Sequence, residues 1–291
     1  MNKEHAAVGK DLQYLTQSLK APRIAQSYAR IAEQARTSGW THEEYLAAVL
    51  ELEVVVRNAS GARNRIRAAG FGASKTLDEF DWAMQPPVRD QILGLAGDAY
   101  LHEGRNIVLL GPPGTGKTHL AIALGIAAAK TGHRVLFDTA VGWVQRLSQA
   151  HTSDRLPAEL LRLRRYGLII VDEVGYLPFE QEAANLFFQL VSSRYEQCSL
   201  ILTSNLPFSG WGTVFGDQVV AAAMIDRIVH HAEVFALKGS SYRLKEQSFE
   251  TLPSVAAEQR QVYTALNCSF FGFRKCSLFN FRRQFGSQLW D

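Results

Sequence analysis

Residues 111–118 read Gly-Pro-Pro-Gly-Thr-Gly-Lys-Thr, which fits the phosphate-binding pattern G-x-x-x-x-G-K-[ST]. In this pattern the glycines let backbone N–H groups turn towards a phosphate, the lysine supplies a positive charge, and the last hydroxyl can bind Mg²⁺. The apolar run at 106–110 is typical of a buried parallel strand, and the Ala/Leu/Ile-rich run at 119–130 is typical of a helix whose N-terminus faces an anion. Because a predicted strand, the loop and a predicted helix follow one another directly, the stretch predicts a nucleotide phosphate site rather than a chance glycine-rich turn. The residues assigned to the nucleotide are Gly111, Pro112, Pro113, Gly114, Thr115, Gly116, Lys117, Thr118 and His119.

Strand-like and helical patterns alternate from about residue 88 onwards. The alternation predicts an α/β fold, a parallel sheet with helices on both faces. Ligands of such sheets bind beyond the carboxyl ends of the strands, where the glycine-rich loop lies. The predicted strands are 106–110, 134–138, 167–172, 199–204 and 233–237.

The chain before residue 70 has helical spacing of its apolar residues instead. Ser38-Gly39 interrupts that pattern, and Thr41 followed by Glu44 predicts a capping box at the start of the next helix. The predicted organisation is an N-terminal helical domain at 1–70, a linker at 71–87, a nucleotide-binding domain at 88–250 and an atypical tail at 251–291.

Four arginines close the helical unit, Arg57, Arg63, Arg65 and Arg67, with no acidic residue between them. They form either a solvated helix face or a surface that contacts DNA phosphates. The net charge of the whole chain is only +3, which permits a nucleic-acid partner without arguing for one.

The tail at 251–291 is rich in aromatic and basic residues without a sustained period. Stacking on single-stranded nucleic acid, a poorly ordered tail and a frame-shifted terminus are all compatible with that composition.

The spacing of the cysteines and the hydropathy of the chain indicate the cellular compartment of the protein. Cys198, Cys268 and Cys276 are far apart and share no metal-binding spacing, which is typical of reduced thiols. The first residues lack the apolar run of a signal peptide, and no stretch reaches the ~18 apolar residues that span a membrane. We therefore expect a cytoplasmic protein with no membrane partner.

Two acidic residues follow the apolar strand at 167–172, and an amide follows the strand at 199–204. Consecutive side chains at a strand end point in different directions, so the two acids can divide the work. Asp172, with Thr118, is predicted to hold Mg²⁺, and Glu173 to polarise an attacking water. Asn205 is predicted to orient that water against the terminal phosphate, although an ordinary turn residue would also fit its position.

Two arginines, Arg227 and Arg243, are candidates to stabilise the negative charge that develops during phosphoryl transfer. Sequence spacing does not show which molecule each one reaches, and an ion pair with Asp226 or another acid is the alternative for Arg227. His230-His231 has no further ligand at metal-binding spacing, so exposed or core histidines explain the pair better than a metal site.

With these motifs placed, the chain from about residue 8 to 248 resembles the AAA+ ATPases, and among them the IstB-like transposition helpers, relatives of DnaC-type helicase loaders. The resemblance rests jointly on the blocks at 65–71, 75–81, 111–121, 165–178, 185–190, 201–211, 226–231 and 241–245. The resemblance implies that ATP is bound and hydrolysed with Mg²⁺. It also implies that multimers form on duplex DNA and that target DNA is presented to a transposase. It assigns Asn205 to sensor 1, Arg227 to an arginine finger acting on a neighbouring subunit, and Arg243 to sensor 2.

Two other functions share the same loop. A replicative helicase loader has nearly the same nucleotide site but a helicase as its partner, so the chemistry does not separate it from a transposition helper. A small-molecule kinase requires an acceptor pocket with a base and a lid, and no such set of residues is found in the sequence.

Overall fold

The structure is a computed structural model that describes residues 3–239 and 241–242. Arg243, the predicted tail at 251–291, Cys268 and Cys276 lie outside the described residues. Within the described part, no helix is both long enough and apolar enough to cross a membrane.

Three helices open the chain: α1 (Lys3–Ser18), α2 (Pro22–Ser38) and α3 (His42–Ala68). The apolar spacing predicted helical structure and the break at Ser38-Gly39, but not the break between α1 and α2. Gly39 ends α2 in the left-handed conformation, with a φ of 68°. The predicted capping box is confirmed, because the Thr41 hydroxyl accepts from the Glu44 N–H at 3.2 Å and the Glu44 carboxylate accepts from the Thr41 N–H at 2.8 Å.

A five-stranded parallel sheet forms the centre of the described chain, in the order β2-β3-β4-β1-β5. All five predicted strands are present, with ends that differ by at most two residues from the predicted ones. The strands are β1 (Asn106–Leu110), β2 (Val135–Thr139), β3 (Leu168–Val174), β4 (Ser199–Ser204) and β5 (Ala232–Ala236).

Helices cover both faces of the sheet, because alternate strand residues point to opposite sides. Val108 lies in the core beneath the helices that follow β2, β3 and β4, whereas Ile107 and Leu109 lie in the core beneath the helix that follows β1. The helices are α4 (Arg89–Gly94), α5 (Ala99–His102), α6 (Lys117–Lys130), α7 (Ala140–Thr152), α8 (Leu156–Leu163), α9 (Gln181–Arg194), α10 (Trp211–Phe215) and α11 (Gln218–Val229).

Helix α6 is buried on nearly every side, since the sheet covers one face and α3 packs against another. The predicted linker crosses the same region with a buried Phe80 and two short 3₁₀ turns. The Gln85 side chain donates to the Lys238 carbonyl at 2.7 Å and accepts from its N–H at 3.3 Å. The linker is therefore tied to the segment that follows β5.

Candidate functional site

The glycine-rich loop leaves the carboxyl end of β1 and enters α6. The Lys117 ammonium donates to the carbonyls of Gly111 at 2.7 Å and Pro112 at 2.8 Å. Gly116 has a φ of 93°, and a Cβ at this position would lie 2.5 Å from the Phe80 ring. Only glycine fits this position without displacing the linker.

A cavity of about 420 Å³ opens beside the loop, within the size range of about 300–1,000 Å³ common for small-molecule sites. Six of the nine residues assigned to the nucleotide line it, those from Gly114 to His119. The other lining residues are Lys75, Glu79, Phe80, Asp81, Met84 and Tyr242. Sequence patterns did not point to these residues as pocket residues, because the contact joins segments far apart in the chain.

The linker and the segment after β5 are both held against the loop. His119 Nε2 lies 2.8 Å from the Thr76 carbonyl, and its ring makes an edge contact with Phe80. The Tyr242 N–H donates to the Gly114 carbonyl at 2.9 Å. Hydrogen bonds from Thr76 hold the pKa of Glu79 below its usual value, so this carboxylate at the cavity is ionised at neutral pH.

Asp172 is a buried carboxylate facing the start of α6. It is 3% exposed, and its Oδ1 atom accepts from the Thr118 hydroxyl at 3.0 Å and from the Thr203 hydroxyl at 2.5 Å. Carboxylate and hydroxyl oxygens are ligands that Mg²⁺ prefers. The oxygen pair of Thr118 and Asp172 therefore fits Mg²⁺ in its chemistry.

Glu173 points away from its neighbour, towards solvent. The register of β3 against β4 shifts between Val171 and Val174, and Glu173 has a φ of 63°. A left-handed backbone is unusual for a non-glycine residue and is kept where surrounding contacts fix it. Here the Glu173 N–H donates to the Thr203 hydroxyl at 2.9 Å. Thr203, which sequence reasoning missed, thus contacts both acidic residues.

Asn205 follows β4 directly and lies beside the loop, since the Gly111 N–H donates to the Ser204 carbonyl at 3.1 Å. The Asn205 Oδ1 atom is buried and has no hydrogen-bond partner among the described residues. Buried polar atoms are seldom left unpaired, so the Asn205 amide has hydrogen-bonding capacity that no described residue uses.

Arg227 lies at the opposite end of the sheet from the loop. It is in the last turn of α11, and the Asn106 side chain, at the first position of β1, donates to the neighbouring Ile228 carbonyl at 2.9 Å. The loop begins after the last residue of β1, a separation of roughly 15 Å at about 3.3 Å per residue. No ion pair of Arg227 with Asp226 or another acid occurs in the described part of the chain. Its guanidinium instead stacks on Phe188.

The His230-His231 pair is exposed and lies close to Arg227 in the chain. Glu196, two residues after the end of α9, brings a carboxylate to 3.4 Å from His231 Nε2, and the Tyr195 hydroxyl lies 3.0 Å from His230 Nδ1. Sequence spacing alone could not pair these residues, since the two segments meet only through the packing of α9 and α11.

The four arginines predicted to contact DNA differ in their surroundings. Arg65 is half-buried and donates to the Ala129 carbonyl at 2.8 Å, so it joins α3 to α6. Arg57 donates to the Lys20 carbonyl at 2.7 Å, and Arg63 to the Ser60 hydroxyl at 3.1 Å. Arg57, Arg63 and Arg67 are exposed. The DNA contact of these residues stays a prediction.

The sheet order, the loop after β1 and the acid pair in β3 together define the class: a P-loop nucleotide-binding protein of the AAA+ type. Residues 15–250 match the family described as "IstB-like ATP binding protein". The chain belongs to this family of ATP-binding proteins.

Two relatives agree with this assignment, and one solved structure shares the fold. The chain is 42% identical to an insertion sequence IS21 ATP-binding protein of Pseudomonas aeruginosa, over 81% of this chain and 90% of that protein. It is 38% identical to an insertion sequence IS5376 ATP-binding protein of Geobacillus stearothermophilus, over 80% and 93%. The replication initiator DnaA, bound to AMPPCP and single-stranded DNA, matches with a TM-score of 0.51 at 18% identity, over 70% of this chain and 67% of that one. This last likeness concerns the fold alone.

We expect Lys117→Ala to weaken ATP binding by at least about 100-fold, because the charge that faces the phosphates is lost. Calorimetric titration with a non-hydrolysable ATP analogue measures the effect. Lys130→Ala, at the other end of α6, is the control and should bind as the wild type does. Equal affinity of the Lys117 variant and the wild type would rule out the loop as the nucleotide site.

Proposed function

We propose that this protein is a Mg²⁺-dependent ATPase that assists the transposition of an insertion sequence. In this proposal it multimerises on duplex DNA and hydrolyses ATP to deliver target DNA to a transposase. The observation that supports hydrolysis best is the divergence of the two acids, with Asp172 buried against Thr118 and Glu173 exposed beside them.

Each residue at the carboxyl edge of the sheet has a separate task in the proposed reaction. Lys117 and the N–H groups of the loop bind the phosphates. Thr118 with Asp172 would hold Mg²⁺, which would neutralise charge on the phosphate oxygens. Glu173 takes a proton from the attacking water, and the unpaired Asn205 carbonyl orients that water. Thr203 fixes the direction of both acids.

The arginine needed to complete the site comes from a second copy of the chain in this proposal. The turn that carries Arg227 is bound to the first residue of β1, and the loop begins after its last residue, a strand length of roughly 15 Å. Because a guanidinium must touch the transferred phosphoryl group to stabilise it, Arg227 can serve only a neighbouring subunit. Arg243 keeps the sensor 2 role that the family resemblance implies.

The DNA and transposase partners are proposed on other grounds. The relatives are named after insertion sequences, which favours a transposition helper over the helicase loader. Exposed arginines of α3 offer positive charge to DNA phosphates. We assign residues 1–70 to assembly, DNA or transposase contact and residues 88–250 to ATP.

Glu173→Gln should preserve ATP binding while lowering kcat by at least about 100-fold, because the amide cannot accept the proton of water. Steady-state phosphate release and analogue binding separate the two effects. Glu180→Gln, another exposed acid a few residues further on, should keep full activity. If the Glu173 variant retains hydrolysis, the base is another residue.

Arg227→Ala and Lys117→Ala subunits should each be inactive alone and recover ATPase activity when mixed. In the mixture an intact nucleotide site of the first variant meets an intact arginine of the second. Co-assembly is checked by sizing of the mixture. Co-assembled subunits that stay inactive at every ratio would contradict action in trans.

DNA affinity should fall steeply with salt and depend little on base sequence, since phosphate contacts dominate. We expect Arg67→Ala to reduce the slope of log K against log salt by about 1. Fluorescence anisotropy with duplexes of unrelated sequence measures this, and Arg36→Ala on α2 serves as the control. An unchanged slope for Arg67→Ala would exclude this residue from the DNA surface.

A further inference from the structure

The guanidinium of Arg227 lies on the face of the Phe188 ring. Its Cζ atom is 4.3 Å from the ring centroid, well inside the ~6 Å within which cation–π attraction acts. Phe188 is on α9 and Arg227 on α11, and the two helices pack against each other. On the basis of the function proposed above, we propose that Phe188 is the positioning residue that holds Arg227 in place for the nucleotide site of a second copy.

An aromatic partner suits an arginine that must act on another molecule. A carboxylate partner would accept hydrogen bonds from the guanidinium and neutralise its charge. The ring attracts the charge without taking the in-plane N–H donors. In the described part of the chain no ion pair with an acidic residue neutralises Arg227. Stacking on the ring therefore orders the side chain while its positive charge stays available to a phosphate.

The ring itself is firmly held. Phe188 is half-buried and packs against the core on the α9 side of the sheet, and its neighbours Phe187 and Leu190 are fully buried in that core. An arginine side chain that is free to rotate must be ordered before it can act on a phosphate, and that ordering lowers the rate. Stacking on a fixed ring orders Arg227 before the subunits meet.

The backbone beneath Arg227 has a separate support. The buried Asn106 side chain donates to the Ile228 carbonyl and accepts from the Leu200 N–H, both at 2.9 Å. The Asn106 N–H also donates to the His231 carbonyl at 2.7 Å. Because Asn106 also joins two strands, changing it would disturb the sheet. Phe188 is the support that can be altered while the sheet stays intact.

The test uses Phe188→Leu, which keeps an apolar side chain but removes the ring face. The nucleotide site of this variant is unchanged, so its affinity for an ATP analogue should equal that of the wild type. As a pure sample its kcat should fall at least about tenfold, because no neighbour presents a positioned Arg227.

Mixing shows on which side of the interface the defect lies. Lys117→Ala subunits have no working nucleotide site but keep Phe188 and Arg227. Added in equal amount to Phe188→Leu subunits, they should raise turnover per Phe188→Leu subunit about fivefold, since about half of the neighbours then present a positioned arginine. Arg227→Ala subunits added instead should give no such rise.

Further variants separate positioning from folding. Phe188→Tyr keeps the ring face and should keep activity within about twofold of the wild type. Phe187→Leu removes a core ring one residue away, so it should lower the melting temperature. Adding Lys117→Ala subunits should not raise the turnover of this variant, because its arginine is still positioned. If Phe188→Leu does not fold, Phe188→Met fills the space without a ring and takes its place.

Two results would overturn the assignment of Phe188. One is a kcat of the Phe188→Leu protein within about twofold of the wild type. The other is a mixture with Lys117→Ala that stays at the low rate although Arg227→Ala and Lys117→Ala subunits do recover activity together. If Arg227→Ala and Lys117→Ala subunits co-assemble but recover no ATPase activity, the proposed action in trans is wrong. The proposed role of Phe188 is then wrong as well.

Discussion

Strand β1 keeps the nucleotide loop and Arg227 apart. The loop follows its last residue, and the turn that carries Arg227 is bound to its first residue through the Asn106 side chain. A strand of five residues is stiff and spans roughly 15 Å, so no side-chain movement joins the two groups within one chain. The proposed dependence of hydrolysis on a second copy follows from this distance.

The carboxyl edge of the sheet holds the other half of the proposed site, and one hydroxyl organises it. Thr203 donates to Asp172 and accepts from the Glu173 N–H, across the bulge where the register of β3 and β4 shifts. The bulge and the left-handed backbone of Glu173 send one acid inwards and the other outwards. Local strain of this kind is common where a side chain must take a fixed direction.

Local patterns in the sequence were enough to predict much of this structure. The five strands and the helical region before residue 70 follow from apolar patterns, and the glycine-rich loop with Asp172, Glu173 and Asn205 follows from motifs at strand ends. These features depend on residues close together in the chain. The role of each residue in catalysis stays a prediction that the structure makes more specific.

Contacts between distant segments could not be predicted in the same way. Phe80 and Tyr242 reach the cavity only because the linker and the segment after β5 both contact the loop. Glu196 meets His231, and Phe188 meets Arg227, only through the packing of α9 and α11. The sequence allowed an ion pair for Arg227, whereas the structure provides an aromatic ring.

The most direct test of a nucleotide site completed by a second copy is turnover per subunit as a function of protein concentration. ATP hydrolysis and molar mass by light scattering would be measured together, with ATP, Mg²⁺ and duplex DNA present. The account predicts that turnover per subunit rises in step with the assembled fraction and is lost on dilution to monomers. Full turnover per subunit in a monomeric sample would contradict it.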